Sequence, residues 1–241
     1  MKTVGLIGGI APESTIEYYR LIIAGYRAYV TDGSYPSIVI NSIDLKAMLD
    51  LVQAREFVRL TRYLVGEIHK LARAGAELGL LASNTPHIVF DEIGRQSPIP
   101  LVSIVEATCA AARTLGLTRL GLIGTRFTMQ GQFYPKVFSK AQIALVTPAP
   151  DDQAYIHDKY MNELVPGVLL PETRAGLLAI VDRLREHERI DGLILGGTEL
   201  PLILGDTTGG NGPGNVTGRG IPFLDTTRIH VQALLARLWD E

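Results

Sequence analysis

A short apolar segment occurs twice in this chain of 241 residues, and its recurrence constrains the fold more than any other feature of the sequence. Residues 4–9 read VGLIGG and residues 120–125 read LGLIGT. Ser83 and Gly197, each at the start of a small polar stretch, occur in the same order and are separated by nearly the same interval. One apolar strand can resemble another by chance, but two features that recur in register indicate a duplicated structural unit.

The repeated polar stretches follow apolar runs that are typical of buried strands. The run 76–81 precedes Ser83, and the run 191–195 precedes Gly197. A buried strand that opens into small polar residues before another apolar segment is typical of a parallel strand followed by a loop and a helix start. In α/β sheets, ligands bind at this end of the strands, where backbone N–H groups and helix dipoles favour anions. We therefore expect the two loops to face each other and to share one small ligand.

The repeat predicts an α/β fold of two similar parallel-sheet domains. We expect the first half to comprise residues 1–100 together with the C-terminal helix 225–241, and the second half to comprise residues 101–224. Residues 53–74 are expected to form one long amphipathic helix that starts at Gln53. The Gly-rich stretch 205–220 has no periodicity and is interpreted as mobile surface or a lid.

Composition and charge argue against several classes of function. A net charge of −2 gives no electrostatic reason to expect nucleic acid or an anionic membrane as partner. The sequence lacks the layout of a signal peptide and any apolar run of membrane-spanning length, so we expect a cytoplasmic protein. No His, Cys, Asp or Glu cluster has metal-ligand spacing, which predicts no metal. The lone Cys109 is expected to be a small core residue in a helix.

Further motifs are spread over nearly the whole chain. They include the opening MKTVGLIGG with Glu13-Ser14-Thr15, Asn84-Thr85 with His87, LIGTRFTM at 122–129, Ile156-His157, Thr198-Glu199 and Asp225-Thr226-Thr227. Together these motifs resemble the aspartate/glutamate racemase family. The resemblance implies an isomerase with two similar α/β domains related by a pseudo-twofold axis, an active site in the cleft between them, no cofactor, and a homodimer.

The same resemblance implies a mechanism that this chain does not carry in full. Members of the family usually have one cysteine just before Asn-Thr and another just before Thr-Glu, with one thiol on each face of the substrate α-carbon. The corresponding residues here are Ser83 and Gly197. Inversion of a stereocentre by proton transfer needs a base on one face and an acid on the other, and serine is a poor base without an activating partner. Racemisation by two thiols is therefore impossible for this sequence.

The ligand-binding positions of the family are retained, in contrast to the two cysteines. The resemblance assigns substrate binding to Gly9, Gln53, Asn84, Thr85, Thr125, Thr128, His157, Thr198 and Glu199. Several of these also have an ordinary structural interpretation, because Asn, Thr and Glu are common where helices begin. His87 is expected to form a local hydrogen bond rather than act as a base, and Asp44 and Asp225 either cap helices or orient the loops.

Several functions are compatible with this pattern. The first is an amino-acid racemase-type isomerase that acts on a small amino acid or dicarboxylate. The second is a related enzyme with one-sided proton transfer or decarboxylation; the arylmalonate decarboxylases resemble this fold and use a single thiol opposite a glycine. The third is a catalytically inactive carboxylate-binding homologue. Ser83 is also compatible with a deliberate replacement of cysteine. The family resemblance favours the first function, and the residues leave the others open.

Overall fold

The computed structural model describes residues 1–205, 214–216 and 220–239. Contacts divide the chain into two units. The first unit consists of Met1–Ile104 and the C-terminal segment that begins at His230, and the second unit consists of Val105–Ile229. In the described part of the chain, no helix is long and apolar enough to cross a membrane.

The first unit is built on a parallel sheet. Its elements in chain order are β1 (Val4–Gly8), α1 (Pro12–Tyr29), β2 (Ile38–Ser42), α2 (Leu45–Gln53), α3 (Phe57–Arg73), β3 (Leu78–Leu81), a 3₁₀ helix (Thr85–Val89), α4 (Phe90–Gln96) and β4 (Leu101–Val102). The strands lie in the order β2-β1-β3-β4, and the paired strands are parallel. Parallel neighbours need crossover connections, which the helices supply.

The second unit repeats this plan. Its elements in chain order are α5 (Ile104–Thr114), β5 (Arg119–Gly124), α6 (Arg126–Gln130), α7 (Phe133–Phe138), a 3₁₀ helix (Ser139–Ala141), β6 (Ala144–Val146), α8 (Pro150–Lys159), a π-helical turn (Tyr160–Leu164), α9 (Pro171–Glu188), β7 (Gly192–Gly196), α10 (Leu200–Leu204), β8 (Gly214–Val216), β9 (Pro222–Asp225) and α11 (Thr226–Ala236). The strands lie in the order β6-β5-β7-β9-β8, and β8 is antiparallel to β9. Helix α11 begins in this unit and continues into the first.

The two sheets have the same strand order. The order β2-β1-β3-β4 matches β6-β5-β7-β9 when β1 is taken as the equivalent of β5. In the first sheet Ile7 lies opposite Leu81, and in the second Ile123 lies opposite Leu195. The predicted α/β class with two similar parallel sheets is therefore confirmed.

The central strands β1, β3 and β7 are buried along their whole length, as parallel strands covered by helices are expected to be. In β1, Val4, Leu6 and Ile7 are fully buried. Helix α1 packs on this sheet through Tyr18 and Ile22, which lie one turn apart and share a core cluster with Val4 and Leu6. Burial of one large aliphatic side chain contributes about 1.5–3 kcal/mol. This core fixes the strand ends from which the polar loops extend.

The stretch 53–74 contains the last residue of α2 and the whole of α3, so the prediction of one long helix starting at Gln53 is wrong. Gln53 is instead the last residue of α2. After it, Arg55 takes a left-handed conformation with a φ of 56°, and the N–H of Glu56 donates to the carbonyl oxygen of Leu51 at 2.9 Å. This bond ends α2 as a Schellman turn does, with arginine where glycine is usual. The apolar periodicity continues across the break, so the pattern does not reveal it.

The Gly-rich stretch 205–220 contains β8, so the prediction that it has no regular structure is wrong at 214–216. Asn215 in β8 lies opposite Phe223 in β9, and the short strand extends the edge of the second sheet. Residues 206–213 and 217–219 lie outside the described residues, and the interpretation as mobile surface or a lid falls on them.

Candidate functional site

One group of predicted site residues lies at a single edge of the first sheet. β1 and β3 are parallel neighbours, and the last residues that they pair are Ile7 and Leu81. The carboxyl ends of parallel neighbours meet at the same edge of a sheet, so the loops that follow these residues lie side by side. The predicted residues in these loops are Gly9, Ser83, Asn84 and Thr85.

The loop after β3 is a buried tight turn. The N–H of Ser83 donates to the carbonyl oxygen of Leu81 at 2.8 Å, and the N–H of His87 donates to that of Asn84 at 3.0 Å. Ser83, Asn84 and Thr85 are all buried. A buried turn that is tied to the strand end holds its polar side chains in fixed positions, as a ligand site requires.

His87 fixes the main chain of Ser83. Its Nε2 accepts a hydrogen bond from the N–H of Ile104 at 3.2 Å, so Nδ1 carries the proton and donates to the carbonyl oxygen of Ser83 at 3.0 Å. Burial lowers the pKa of His87 well below its usual value, and the nearby His230 lowers it further. His87 is therefore a neutral imidazole with a local hydrogen bond, as expected, and it contacts the carbonyl of Ser83 rather than the hydroxyl.

Gly9 allows β1 and β2 to approach closely at their ends. Its φ of +81° is left-handed, and a Cβ at this position would lie 2.4 Å from the carbonyl oxygen of Ile43. Its N–H donates to Oγ1 of Thr15 at 2.9 Å. The N–H of Gly9 therefore has a partner within the chain, and the residue serves the backbone turn beside the predicted site.

Gln53 belongs to a helix and not to a strand-end loop of the first unit. It is an exposed residue at the C-terminal end of α2. The helix start that the sequence suggested for it belongs to the next helix, α3. A contact between Gln53 and a distal carboxylate of the ligand remains a prediction.

A second group of predicted site residues lies at the matching edge of the second sheet. β5 and β7 are parallel neighbours, and the last pair that they form is Gly124 with Gly196. A Cβ on Gly124 would lie 2.4 Å from the carbonyl oxygen of Gly196, so this pair permits a close approach of the two strands. The predicted residues that follow the pair are Thr125, Thr128, Gly197, Thr198 and Glu199.

Thr125 and Thr128 form a hydroxyl pair at the start of α6. Oγ1 of Thr125 accepts from the N–H of Thr128 at 3.3 Å, and the two hydroxyl oxygens lie 3.2 Å apart. Both residues are buried. The side chain of Thr125 thus caps α6, as its position at the strand end suggests.

Thr198 and Glu199 follow Gly197 in a buried turn that leads into α10. The N–H of Leu200 donates to the carbonyl oxygen of Gly197 at 3.1 Å. Oγ1 of Thr198 donates to Oε2 of Glu199 at 3.0 Å. Glu199 is only 1 % exposed, and a carboxylate so buried needs hydrogen-bond donors around it.

Tyr160 supplies a further donor to Glu199, and the sequence pattern did not single it out. Its hydroxyl donates to Oε2 of Glu199. Burial raises the pKa of Tyr160 well above its usual value, and the charge of Glu199 raises it further. The phenol is therefore protonated, and the pair consists of a neutral phenol and a carboxylate.

The ring of Tyr160 occupies the space beside Gly197. A Cβ on Gly197 would lie 2.4 Å from Cε2 of Tyr160 and 2.6 Å from its hydroxyl oxygen. Real Cβ atoms do not approach other atoms so closely, so no larger residue fits at 197 while Tyr160 holds this position. An aromatic residue in a helical segment is common in any core, and nothing near Tyr160 in the sequence connects it with Gly197.

His157 lies one turn before Tyr160 on α8 and is half-buried. Its Nδ1 accepts from the N–H of Arg126 at 3.3 Å, and its ring meets the edge of Phe127. Burial lowers the pKa of His157, and the charge of Arg126 contributes to the lowering. His157 is thus held against the start of α6, close in the chain to Thr125.

Both aspartates that follow strands cap helices. Oδ1 of Asp44 accepts from the N–H of Lys46 at 2.8 Å at the start of α2. Oδ1 of Asp225 accepts from the N–H groups of Thr227 at 2.9 Å and Arg228 at 3.1 Å at the start of α11. Of the two roles considered for these residues, the structure supports capping.

Cys109 lies in a helix and not in either of the strand-end loops. Cys109 is buried in α5, and burial raises the pKa of its thiol. Within residues 1–205, 214–216 and 220–239, no group of three or more His, Cys, Asp or Glu side chains is placed to hold a metal ion.

Comparison with known proteins identifies relatives over the whole chain. A family model described as Asp/Glu/Hydantoin racemase matches residues 7–234. The broad specificity amino-acid racemase RacX of Bacillus subtilis is 22% identical over 212 residues, which cover 83% of this chain and 87% of RacX.

Solved structures resemble the chain equally broadly. An aspartate racemase homologue from Pyrococcus horikoshii OT3 is 32% identical with a TM-score of 0.79, and the match covers 98% of each chain. The aspartate racemase of Picrophilus torridus is 22% identical with a TM-score of 0.75, and the match covers 98% of this chain and 94% of that one. The second likeness concerns the fold alone.

Proposed function

Because the chain belongs to the Asp/Glu/Hydantoin racemase family, we propose that it is an amino-acid racemase-type isomerase whose ligand is a small amino acid or dicarboxylate. Its reaction is proton transfer at the α-carbon of that ligand. The observation that carries the proposal is the recurrence of buried polar loops at equivalent strand ends, one at Ser83 and one at Gly197. In the proposal both loops contact one ligand in a cleft between the two halves.

The carboxylate of the ligand binds to Asn84, Thr85 and Thr198 together with backbone N–H groups of the loops, and the Thr198 hydroxyl turns from Oε2 of Glu199 to the ligand. Amide, hydroxyl and backbone N–H donors suit a carboxylate, and hydrogen bonds to a charged acceptor are strong. All three side chains are buried, so their donors are screened little by water. These donors also stabilise the α-carbanion, because negative charge moves onto the carboxylate as the proton leaves.

Binding is tested by titration calorimetry with L- and D-aspartate, L- and D-glutamate, succinate and malonate. We expect at least one of them to bind with a dissociation constant in the millimolar range or below. Thr198→Val removes the hydroxyl donor at nearly constant volume and should weaken binding by about 10- to 150-fold, since a hydrogen bond to a charged group contributes about 1.5–3 kcal/mol. Absence of heat with every ligand at millimolar concentration would refute the proposed site.

Chemistry is tested by proton exchange in deuterated water. Loss of the α-proton signal of the bound amino acid, followed by NMR, reports carbanion formation whether or not the stereocentre inverts. Chiral chromatography of the same samples reports inversion. Binding without any exchange would leave the protein as the inactive carboxylate-binding homologue.

The proposal also includes a homodimer that acts in the cytoplasm without a cofactor. Sedimentation equilibrium of the purified protein should give twice the chain mass of 26.2 kDa. Exchange activity should survive dialysis against a chelator, because no bound group takes part in the proposed proton transfer.

A further inference from the structure

Gly197 and Tyr160 are complementary in volume. The phenol end of Tyr160 lies where a side chain on residue 197 would begin, within 2.4–2.8 Å of the position of its Cβ. Tyr160 belongs to the core cluster of the second unit, where it packs with residues that include Ile156 and Leu200. The phenol is therefore held in this space by packing and does not enter it as a mobile surface side chain.

The phenol that fills this space is part of a hydrogen-bond network around Glu199. Its hydroxyl donates to Oε2 of Glu199, and the hydroxyl of Thr198 donates to the same oxygen at 3.0 Å. Oε2 of Glu199 is the acceptor of both hydrogen bonds, and the phenol proton stays on Tyr160. The space beside Gly197 thus holds a proton donor in contact with a buried base.

We propose that Tyr160 and Glu199 form a proton relay that acts in place of a side chain at residue 197, on that face of the ligand α-carbon. This inference rests on the proposed function, because the relay needs the ligand to lie over the loop at Gly197. It assigns a role to Tyr160, and it makes Glu199 the terminal base.

The step is balanced without any further reactant. The Cα–H bond of the ligand breaks and its proton bonds to the phenol oxygen of Tyr160, while the original phenol proton passes to Oε2 of Glu199. The products are a neutral Glu199, a neutral Tyr160 and a carbanion whose charge is delocalised onto the ligand carboxylate. Relay through Glu199 avoids a phenolate beside a carboxylate, which burial and like charge would both disfavour.

The relay acts on one face only. It removes the α-proton from the enantiomer whose hydrogen points toward Tyr160, and the reverse step returns a proton to the same face. We therefore expect one enantiomer of the ligand to exchange its α-proton with deuterium faster than it inverts. Inversion needs a second proton donor on the opposite face of the α-carbon. The rate of inversion therefore depends on that second donor, whereas the rate of exchange depends on Tyr160.

The experiment compares wild type, Tyr160→Phe, Glu199→Gln and Tyr134→Phe with the amino acid that binds best in calorimetry. Tyr160→Phe keeps the ring and removes only the hydroxyl, so exchange should fall about 10²–10⁴-fold while the dissociation constant stays within about threefold. Glu199→Gln should lose exchange similarly. Tyr134→Phe removes a buried phenol hydroxyl from the same unit and should exchange at the wild-type rate, which controls for the loss of a core hydrogen bond.

The outcomes separate the relay from the proposed function. Binding with exchange that is unchanged in Tyr160→Phe would overturn the relay and leave the function standing. Binding by wild type without exchange of either enantiomer would overturn the relay as well. Equal exchange of both enantiomers at the rate of inversion would show groups on both faces and would also overturn the one-sided relay. Absence of binding would remove the proposed function, and the relay with it.

Discussion

At the scale of single residues, the contact between Tyr160 and Gly197 explains a glycine that chain geometry alone does not require. Gly197 does not have a left-handed φ, unlike Gly9. The glycine is needed because a ring from a distant part of the chain occupies the adjoining space. The residue at 197 is thus determined by packing, and the two positions should be energetically coupled.

This coupling can be measured with alanine. Gly197→Ala should lower the free energy of unfolding by about 1–3 kcal/mol, because the new Cβ overpacks against Tyr160. Tyr160→Leu in the same protein should recover part of that loss. Gly66→Ala is the matched control: nothing lies within 4 Å of its added Cβ, and the change favours helix α3 by up to about 1 kcal/mol. Urea denaturation of the wild type, these variants and Tyr160→Leu alone gives the five values, and additive effects of the 197 and 160 changes would contradict the contact.

A second prediction concerns buried histidine and pH. Burial lowers the pKa of His230 to about 4, against about 6.5 in an unfolded chain. Between these values the unfolded chain binds the additional proton, so stability falls as the pH falls. His230 should therefore reduce the free energy of unfolding by about 2 kcal/mol between pH 7 and pH 5, and His87, whose pKa is also lowered, should add to this loss.

Urea denaturation at pH 7 and pH 5 measures how the free energy of unfolding depends on pH. His230→Gln should make this dependence weaker. The variant should also be less stable at both pH values, because His230 accepts a hydrogen bond from Tyr18 and donates one to the carbonyl oxygen of Val102. His69→Gln, which removes an exposed histidine from α3, is the matched control. If the free energy of unfolding of His230→Gln depends on pH as strongly as that of the wild type, His230 is not the cause of the dependence.

At the scale of secondary-structure elements, the ends of strands were more predictable than the ends of helices. Ser83 and Gly197 can be placed from the sequence because buried parallel strands are continuous apolar runs that stop abruptly. The break at Arg55 cannot, because neither glycine nor proline marks it and the apolar period continues through it. The sequence does not predict β8 either, because its glycine-rich surroundings contain none of the apolar alternation that is typical of strands.

The left-handed backbone of Arg55, between α2 and α3, is expected to lower the free energy of unfolding. Arg55→Gly should raise the free energy of unfolding by about 1 kcal/mol, since glycine adopts a left-handed conformation without the steric cost of a Cβ. Arg20→Gly, at an exposed position inside α1, should lower it by about 1 kcal/mol. Thermal or urea denaturation distinguishes the two signs. A loss of stability in both variants would show that Arg55 is held by contacts that outweigh its backbone strain.

At the scale of the whole molecule, the internal repeat is the part of the structure that the sequence predicts best. It predicts two similar parallel-sheet domains with one polar loop in each, and the structure adds that the four equivalent strands have the same order. The repeat does not predict which chemical group lies beside the second loop. The phenol of Tyr160 lies beside Gly197, and Tyr160 is remote from Gly197 in the chain. A duplicated fold can therefore be recognised from sequence even where the residues of its two equivalent loops differ.

This divergence predicts what is needed to restore a two-thiol site. Ser83→Cys with Gly197→Cys should not gain racemisation by two thiols, since the second cysteine has no room beside Tyr160. Addition of Tyr160→Ala should permit racemisation at least about 10²-fold faster than in the double variant, the usual effect of a positioned acid or base. Chiral chromatography after incubation with D-aspartate or D-glutamate measures it. Ser83→Cys with Tyr160→Ala is the control, and equal rates in the control and the triple variant would contradict the proposal that both loops contact one ligand.

The path of the chain through the two units has a consequence for biosynthesis. The core of the first unit contains Val4 and Leu6 from the first strand and Val231 and Leu234 from α11. A ribosome completes the second unit before it releases the residues that close the first. The core of the first unit therefore stays incomplete until α11 has been synthesised, whereas the strands of the second unit all precede α11 in the chain.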